Sequence, residues 1–416
     1  MSVSGIIVEY NPFHKGHDYH LKKTKEITKS QYTIAIMSGN FLQRGEPALF
    51  NKWIRTKMAL KSGVDVVIEL PVVYSCQSAE FFSYGSIQLL ERLGVINNIV
   101  FGCEEYDLKK LKCISDILAE EPIMYKTFLK NQLKKGMSFP SARSIALEKY
   151  FLNIGKNNFD GEVKSVLQCP NNILGIEYLK WLKRFNSNIV PRNITRKGAG
   201  YHSKETHEHY SSATGIRNQI FSNNKDLSKL KGLIPDYSFS IIIDALRENY
   251  IPAQLEDLSK SIFSILLRYN DIDLKKYIDI NEGLEKRLFN NLNSNSIEEF
   301  INLVKTKRYT YTRIQRILAH VLLDIKTEDL IMFREKGGVQ YIRILGFSEN
   351  GRNVLSEIKA KSELPIITNL SKSYKKLNPI QKKMMDYDIR ATNIHNMHFS
   401  KTYKNNMDFS ISPIIV

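Results

Sequence analysis

Along the first half of the chain, short apolar runs rich in Ile and Val alternate with stretches whose apolar positions recur every three or four residues. That is the pattern of a parallel sheet wrapped by helices. The runs predict strands over Ser4 to Glu9, Tyr32 to Met37, Val64 to Glu69, Ile96 to Phe101 and Asn188 to Thr195. The amphipathic stretches predict helices over Asp18 to Lys29, Asn51 to Ser62, Ser78 to Leu93 and Asn172 to Phe185. Gly63 and Gly94 directly follow two of these helices, as expected of residues that close a helix in the left-handed conformation. The expectation is an α/β fold, a Rossmann-like domain built on a parallel sheet.

After about Phe221 the alternation fades and longer helical patterns take over, at Gln254 to Tyr269, Ile297 to Val304 and Thr312 to Ile325. A last segment from Val339 carries strand-like pieces at Tyr341 to Leu345 and Leu364 to Ile367, around a helical stretch at Arg352 to Lys361. The expected organisation is therefore a catalytic domain over 1–225 followed by a mainly α-helical, basic domain over 226–416. No internal repeat and no low-complexity linker marks the boundary.

Composition narrows the class. The chain has 416 residues, 43% hydrophobic and 25% charged, enough for two ordinary domains with their own cores. No apolar run approaches the roughly 20 residues that span a bilayer, and the N-terminus lacks the pattern of a signal peptide, so a cytoplasmic protein without a membrane partner is expected. Cys76, Cys103, Cys113 and Cys169 are scattered, with no C-x-x-C pair, and suggest neither a zinc site nor a disulfide framework. A formal charge of +17 favours a polyanionic partner, nucleic acid first, although a merely basic surface gives the same number.

The opening run Gly5-Ile6-Ile7-Val8-Glu9-Tyr10-Asn11-Pro12-Phe13-His14-Lys15-Gly16-His17 leads a strand through a turn into a helix that starts near Gly16-His17-Asp18. In an open parallel sheet ligands sit at the carboxyl ends of the strands, where helix N-termini offer free N–H groups to anions. His14 and His17, three apart, fall near one helix face and can donate to phosphate oxygens as charge builds in a transition state. Gly16 keeps that surface open. A metal pair or two capping histidines are the alternatives. Far downstream, Ser211-Ser212-Ala213-Thr214-Gly215-Ile216-Arg217 brings hydroxyls, a glycine and an arginine to another helix start. Those groups suit a triphosphate, with Arg217 bridging two oxygens, or else form an ordinary cap.

Together the two segments resemble the signature of the nucleotidyltransferase superfamily that includes pantetheine-phosphate and nicotinate-nucleotide adenylyltransferases. His14-Lys15-Gly16-His17 is similar to its H-x-G-H motif. Ser211 to Arg217 is similar to its I-S-S-T-x-I-R motif, departing at Ala213, where a hydroxyl residue is common. A narrower resemblance runs in order over nearly the whole chain. Val8 to His17, Met37 to Ala48, Lys52 to Pro71, Pro170 to Tyr178 and Lys305 to Arg316 look like the bacterial tRNA(Met) cytidine acetate ligases. The resemblance implies activation of acetate by ATP, usually with Mg²⁺, to acetyl-adenylate and pyrophosphate. The acetyl group then passes to N4 of the wobble cytidine of elongator tRNA(Met).

By the same resemblance His14 and His17 are the catalytic pair. ATP is expected on Ile7, Val8, Glu9, Tyr10, Asn11, Pro12, Phe13, His14, Lys15, Gly16, His17, Asp18, Tyr19 and His20, with Gly102, Asn171, Arg196, Ser212, Thr214 and Arg217. Gly102 would admit adenine or ribose, Asn171 would read the adenine or cap its helix, and Arg196 would meet a phosphate or an acyl oxygen. No dedicated metal ligands are assigned.

The loop Ser38 to Pro47 is a candidate acetate or cytidine site, or a lid that excludes water from an acyl-adenylate. Lys305, Lys307, Arg308, Tyr309, Tyr311, Arg313 and Arg316 interleave basic and aromatic side chains, and Lys52, Arg55 and Lys57 flank Trp53 in the same way. Either group could bind RNA phosphates and stack a base, or form a solvated face. Of these, Lys52, Arg55, Lys57, Lys307, Arg308, Arg313 and Arg316 are expected to contact the tRNA. Two other readings remain: a small-molecule adenylyltransferase of the same superfamily, whose members are usually much shorter, and a nucleotide-regulated RNA-binding protein without catalysis.

Overall fold

Five parallel strands, β1 (Val3–Val8), β2 (Tyr32–Ser38), β3 (Val66–Leu70), β4 (Asn98–Cys103) and β5 (Val190–Thr195), stand side by side in the order β5-β4-β1-β2-β3 in a computed structural model. The structure describes residues 1–104, 107–155, 162–195, 212–221, 227–281, 283–402 and 404–416. The chain leaves β1 towards β2 and β3, then returns to the other side of β1 for β4. The sheet thus has its topological switch point at the carboxyl ends of β1 and β4, where the opening motif lies.

Alternate residues of the central strands feed two cores, as the period of two in a strand requires. Val3, Ile34, Ile36, Val66 and Ile68 pack on one face against the helix Ala79–Arg92. Ile6, Val8, Ala35, Met37 and Val67 pack on the other, with Leu21 and with Met58, Ala59 and Leu60 of the helix Lys52–Lys61. The edge strand β5 is mostly exposed and carries Pro191, as an edge tolerates.

The last segment rejoins this sheet. β6 (Ile342–Phe347) pairs antiparallel with β3, and β7 (Ile366–Ile367) and β8 (Ile414–Ile415) both pair parallel with β6. The chain therefore crosses the expected boundary near 225 and comes back. The stretch Gln254 to Tyr269 is not one helix. It is a 3-10 turn, Leu255–Leu258, followed by the helix Ser259–Leu266.

The helices outside the expected set include Leu108–Glu120, Ile123–Lys134 and Phe139–Asn153 between β4 and β5, Asp236–Arg247 and Thr327–Glu335 in the second half, and the long Pro379–Phe399 near the end. Among the described residues no helix is long and apolar enough to cross a membrane.

Candidate functional site

β1 ends at Val8, and the chain turns through Tyr10, which has φ +50°, and a cis Asn11–Pro12 bond before a helix opens at Lys15. His14 is the N-cap of that helix. Its Nδ1 accepts the Gly16 N–H at 3.0 Å, and Nδ1 of His17 accepts the His14 N–H at 3.3 Å, a reciprocal capping box built from two histidines. Their rings stack with centroids 3.8 Å apart. An Nδ1 that accepts a hydrogen bond carries no hydrogen, so both imidazoles hold theirs on Nε2, the form that donates to a phosphate oxygen. Of the two readings of this pair the cap is present, and it sets the tautomer that a phosphate donor would need.

Gly16 has a tighter reason than openness to a ligand. A Cβ there would lie 2.8 Å from Cε1 of the His14 ring, so any side chain would displace the cap.

Tyr10 and Phe13, expected among the ATP contacts, are 1% and 0% exposed and turn their rings into the core beside Ile6 and Val8. They pack on His17 at centroid distances of 4.9 and 5.6 Å, fixing its ring from behind. With Val8, they can reach a ligand only through their backbone.

The second motif meets the first. In the helix Ala213–Phe221, Ile216 is fully buried and anchors the element, and the Ser212 hydroxyl accepts the Gly215 N–H at 3.1 Å. Arg217 donates to the Asn11 carbonyl oxygen at 3.1 Å and to the Thr214 hydroxyl at 3.3 Å, and lies 3.6 Å from Glu46 of the Ser38 to Pro47 loop. Ser211 and Arg196 lie outside the described residues. Glu9, one residue beyond β1, accepts the Gln43 N–H at 2.8 Å, and burial raises its pKa.

Gly102 lies in β4 and is half-buried. Asn171 sits in the first turn of the helix Pro170–Arg184 and donates its amide to Glu104 at 2.6 Å. Glu104 also accepts the N–H groups of Asn171 and Asn172, at 3.3 and 3.1 Å, so its carboxylate caps that helix. Glu104 was not among the expected residues. Its signal was position: a carboxylate one residue past β4, in reach of a helix that opens on Pro170.

Two expected RNA contacts are overturned. Lys52 and Arg55 are both fully buried. Lys52 Nζ lies 2.8 Å from both carboxylate oxygens of Glu69 and 2.7 Å from Asp408. Burial works against its charge, but Asp408 and Glu69 outweigh it and hold its pKa above the ordinary lysine value. Arg55 donates to the carbonyl oxygens of Phe50 (3.0 Å), Glu9 (2.6 Å), Ser38 (3.0 Å) and Gly39, tying together the chain ends after β1 and β2. Burial pushes its pKa down to about 10, which leaves it charged at neutral pH. Both residues are structural because a charge drawn into a core must find opposite charges or carbonyl dipoles there.

Elsewhere the basic and aromatic stretches divide. Lys57, Lys305, Lys307 and Arg308 are exposed, and Tyr311 is 37% exposed. Tyr309 is 7% exposed and cannot offer a face to a base. Arg313 donates to the Asp279 carbonyl oxygen at 2.6 Å and to Asn281 at 3.1 Å, so part of its fork is committed within the fold.

The Ser38 to Pro47 loop is propped from the C-terminal segment. Thr392 accepts from Asn40 at 3.2 Å, and His395 bonds the Ala48 carbonyl oxygen at 2.7 Å. Gly45, with φ +83°, lies so close to the helix Tyr311–Leu323 that a Cβ would meet the Arg316 backbone at 2.7 Å. The basic stretch therefore ends against the loop that borders the phosphate motifs.

A family model described as HIGH nucleotidyltransferase matches residues 1–409. The tRNA(Met) cytidine acetate ligases of Thermoanaerobacter sp. (strain X514) and Caldanaerobacter subterraneus subsp. tengcongensis are 47% and 45% identical to this chain over 416 residues, with all of each chain covered. Among solved structures, apo Thermotoga maritima TmcAL matches with a TM-score of 0.95 at 39% identity, covering 100% of both chains. The form of that protein bound with alpha-thio ATP matches with a TM-score of 0.93 at 39% identity, covering 100% of this chain and 99% of that one.

Proposed function

The chain belongs to the HIGH nucleotidyltransferase family, and from that premise we propose that it is an ATP-dependent tRNA(Met) cytidine acetate ligase. The observation that carries the reading is the meeting of the His14–His17 box with Arg217 over the Asn11 carbonyl, in a chain alike over its full length to ligases of that name. The alpha-thio ATP held by the Thermotoga maritima protein supports ATP as the nucleotide here.

In this reading a carboxylate oxygen of acetate attacks the α-phosphorus of ATP in line. The bond from that phosphorus to the α–β bridging oxygen breaks, and pyrophosphate leaves. The N4 amino group of the cytidine then attacks the carbonyl carbon of acetyl-adenylate, loses a proton, and AMP departs. The protein contributes position and charge rather than a covalent intermediate. The Nε2–H groups of His14 and His17 face charge developing on the phosphate, Arg217 exchanges Glu46 for the triphosphate, and the loop shields the acyl-adenylate from water. Among the described residues no group of three His, Cys, Asp or Glu side chains is arranged to hold a metal ion. The Mg²⁺ implied by the family would, when bound, neutralise charge on the phosphates, and no step of this reaction is routed through it.

Acetate-dependent exchange of pyrophosphate into ATP, followed by tRNA-dependent formation of N4-acetylcytidine, tests the proposal; absence of both ends it. The tRNA is assigned to the mainly helical half, 226–416, with its anticodon region on the exposed cations that precede the helix Tyr311–Leu323. Charge reversal at Lys307 and Arg308 is expected to weaken tRNA binding about tenfold or more and to lower the slope of log K against log salt by about two, one for each phosphate no longer neutralised. Unchanged binding across a salt series would remove the tRNA from this surface. Pyrophosphate exchange without tRNA is expected to stay at the wild-type level.

A further inference from the structure

Arg316 lies half-buried in the first turns of the helix Tyr311–Leu323, where part of its guanidinium is withdrawn from solvent. Its Nε is buried with no hydrogen-bond partner among the described residues, and Asp279 supports its charge from a distance without forming an ion pair. Burial lowers its pKa, yet no carboxylate or carbonyl oxygen compensates it, unlike Arg55 with its four carbonyl partners. Its surroundings are the loop and turn that border the nucleotide motif. Gly45 packs on the Arg316 backbone, and His320, one turn further along the same helix, bonds the Cys76 carbonyl oxygen at 2.6 Å. The buried Cys76 thiol is within electrostatic reach of both Arg316 and Glu9, the residue that follows the strand of the opening motif.

A second donor waits at the same turn. Gln77 is 1% exposed and its amide Nε2 is buried without a partner among the described residues, while its backbone carbonyl oxygen accepts from Gln43 at 3.0 Å. Gln43 in turn donates its N–H to Glu9, closing the line from the helix through the turn and the loop to the end of β1. Two buried, unpartnered donors, one of them cationic, carry an unmet cost in the free protein that a small anion would remove.

We propose that Arg316 and Gln77 form the acetate subsite, the guanidinium binding the carboxylate of acetate and the amide completing its hydrogen bonds beside the α-phosphate. The inference rests on the ligase reading and adds the residues that hold its smallest substrate. A carboxylate fits better than an RNA phosphate because both donors, Arg316 Nε and Gln77 Nε2, are out of solvent.

The test is steady-state pyrophosphate exchange on Arg316→Met and Gln77→Ala, with acetate, ATP and tRNA each varied. The expected result for Arg316→Met is a KM for acetate raised about 10- to 100-fold, as removing a charge-assisted hydrogen bond should, with KM for ATP unchanged. Affinity for tRNA should also be unchanged, and the Tm equal to or above the wild type, since the fold leaves this charge unpaired. Gln77→Ala should raise the acetate KM by a smaller factor. An unchanged acetate KM in Arg316→Met overturns the proposal, and if tRNA affinity falls instead, the arginine is an RNA contact. A wild-type protein with no acetate-dependent exchange would bring down the ligase reading itself, a result separate from any behaviour of the variants.

Discussion

His17→Ala is expected to lower acetate-dependent pyrophosphate exchange about 100- to 1000-fold, the effect of removing a preorganised donor from developing negative charge, while tRNA binds as before. The substitution also removes the acceptor of the His14 N–H, a cap worth about 1 kcal/mol, so a small fall in Tm accompanies the loss without explaining it. His17→Gln separates the two roles. Its amide can reach the position of Nε2 but cannot keep both the cap and the aromatic packing on Tyr10 and Phe13, so it should fall between wild type and alanine in activity. Exchange within a few-fold of wild type in His17→Ala, measured at saturating ATP, would mean that the histidine caps a helix and nothing more. Loss of tRNA binding together with activity would instead point to a general collapse of the site.

The opening motif was legible because its chemistry is local. A strand, a turn and a helix start lie within the first twenty residues, and the strands β1 to β4 begin and end within about two residues of their expected bounds. Strands buried on both faces read as nearly unbroken apolar runs, which no other element imitates at that length. The long helix Pro379–Phe399 was not legible for the opposite reason: its inward face carries Asp388, Thr392, His395 and Asn396, all buried, where an apolar stripe would have announced it. Asp388, Thr392 and His395 bond distant partners, as when Asp388 accepts the Val72 N–H at 2.7 Å and the Tyr341 hydroxyl at 2.6 Å. Nor could the return of β6 to β3 be foreseen, since an antiparallel pairing across some 270 residues leaves no trace in either segment.

The same blindness to distant partners explains the division among the basic residues. Lys52, Arg55 and Lys57 flank Trp53 at spacings that fit a phosphate-binding helix face, yet only Lys57 is exposed. What decides the matter is Glu69 on β3 and Asp408 near the chain's end, and neither lies near Lys52 in sequence. The two candidate phosphate motifs thus lie in the α/β half, whereas the loop beside them is held by groups from the second half: Asn40 by Thr392, Ala48 by His395, Gly45 by the Arg316 backbone.

Lys52→Met is expected to be the most destabilising of these substitutions, costing about 3–5 kcal/mol, because it leaves Glu69 and Asp408 as buried carboxylates without their shared cation. Arg343, the remaining cation, lies 3.7 Å from Asp408 and is a poor substitute. The loss should appear as a lower urea midpoint with an unchanged slope, and Lys57→Met on the same helix should move the midpoint by only about 0.5 kcal/mol or less. Its sign with pH is fixed. Burial already raises the Glu69 pKa, and without Lys52 opposing it the folded-state value rises further above that of the unfolded chain. A carboxyl raised in this way binds protons more tightly when folded, so the deficit of Lys52→Met is full above the folded-state pKa and shrinks as pH falls through it towards the ordinary carboxylate range. Measured where both proteins are folded, tRNA affinity should not differ between them. A Lys52→Met protein as stable as wild type but weakened in tRNA binding would return this lysine to the surface and undo the account of the core between β3 and the chain's end.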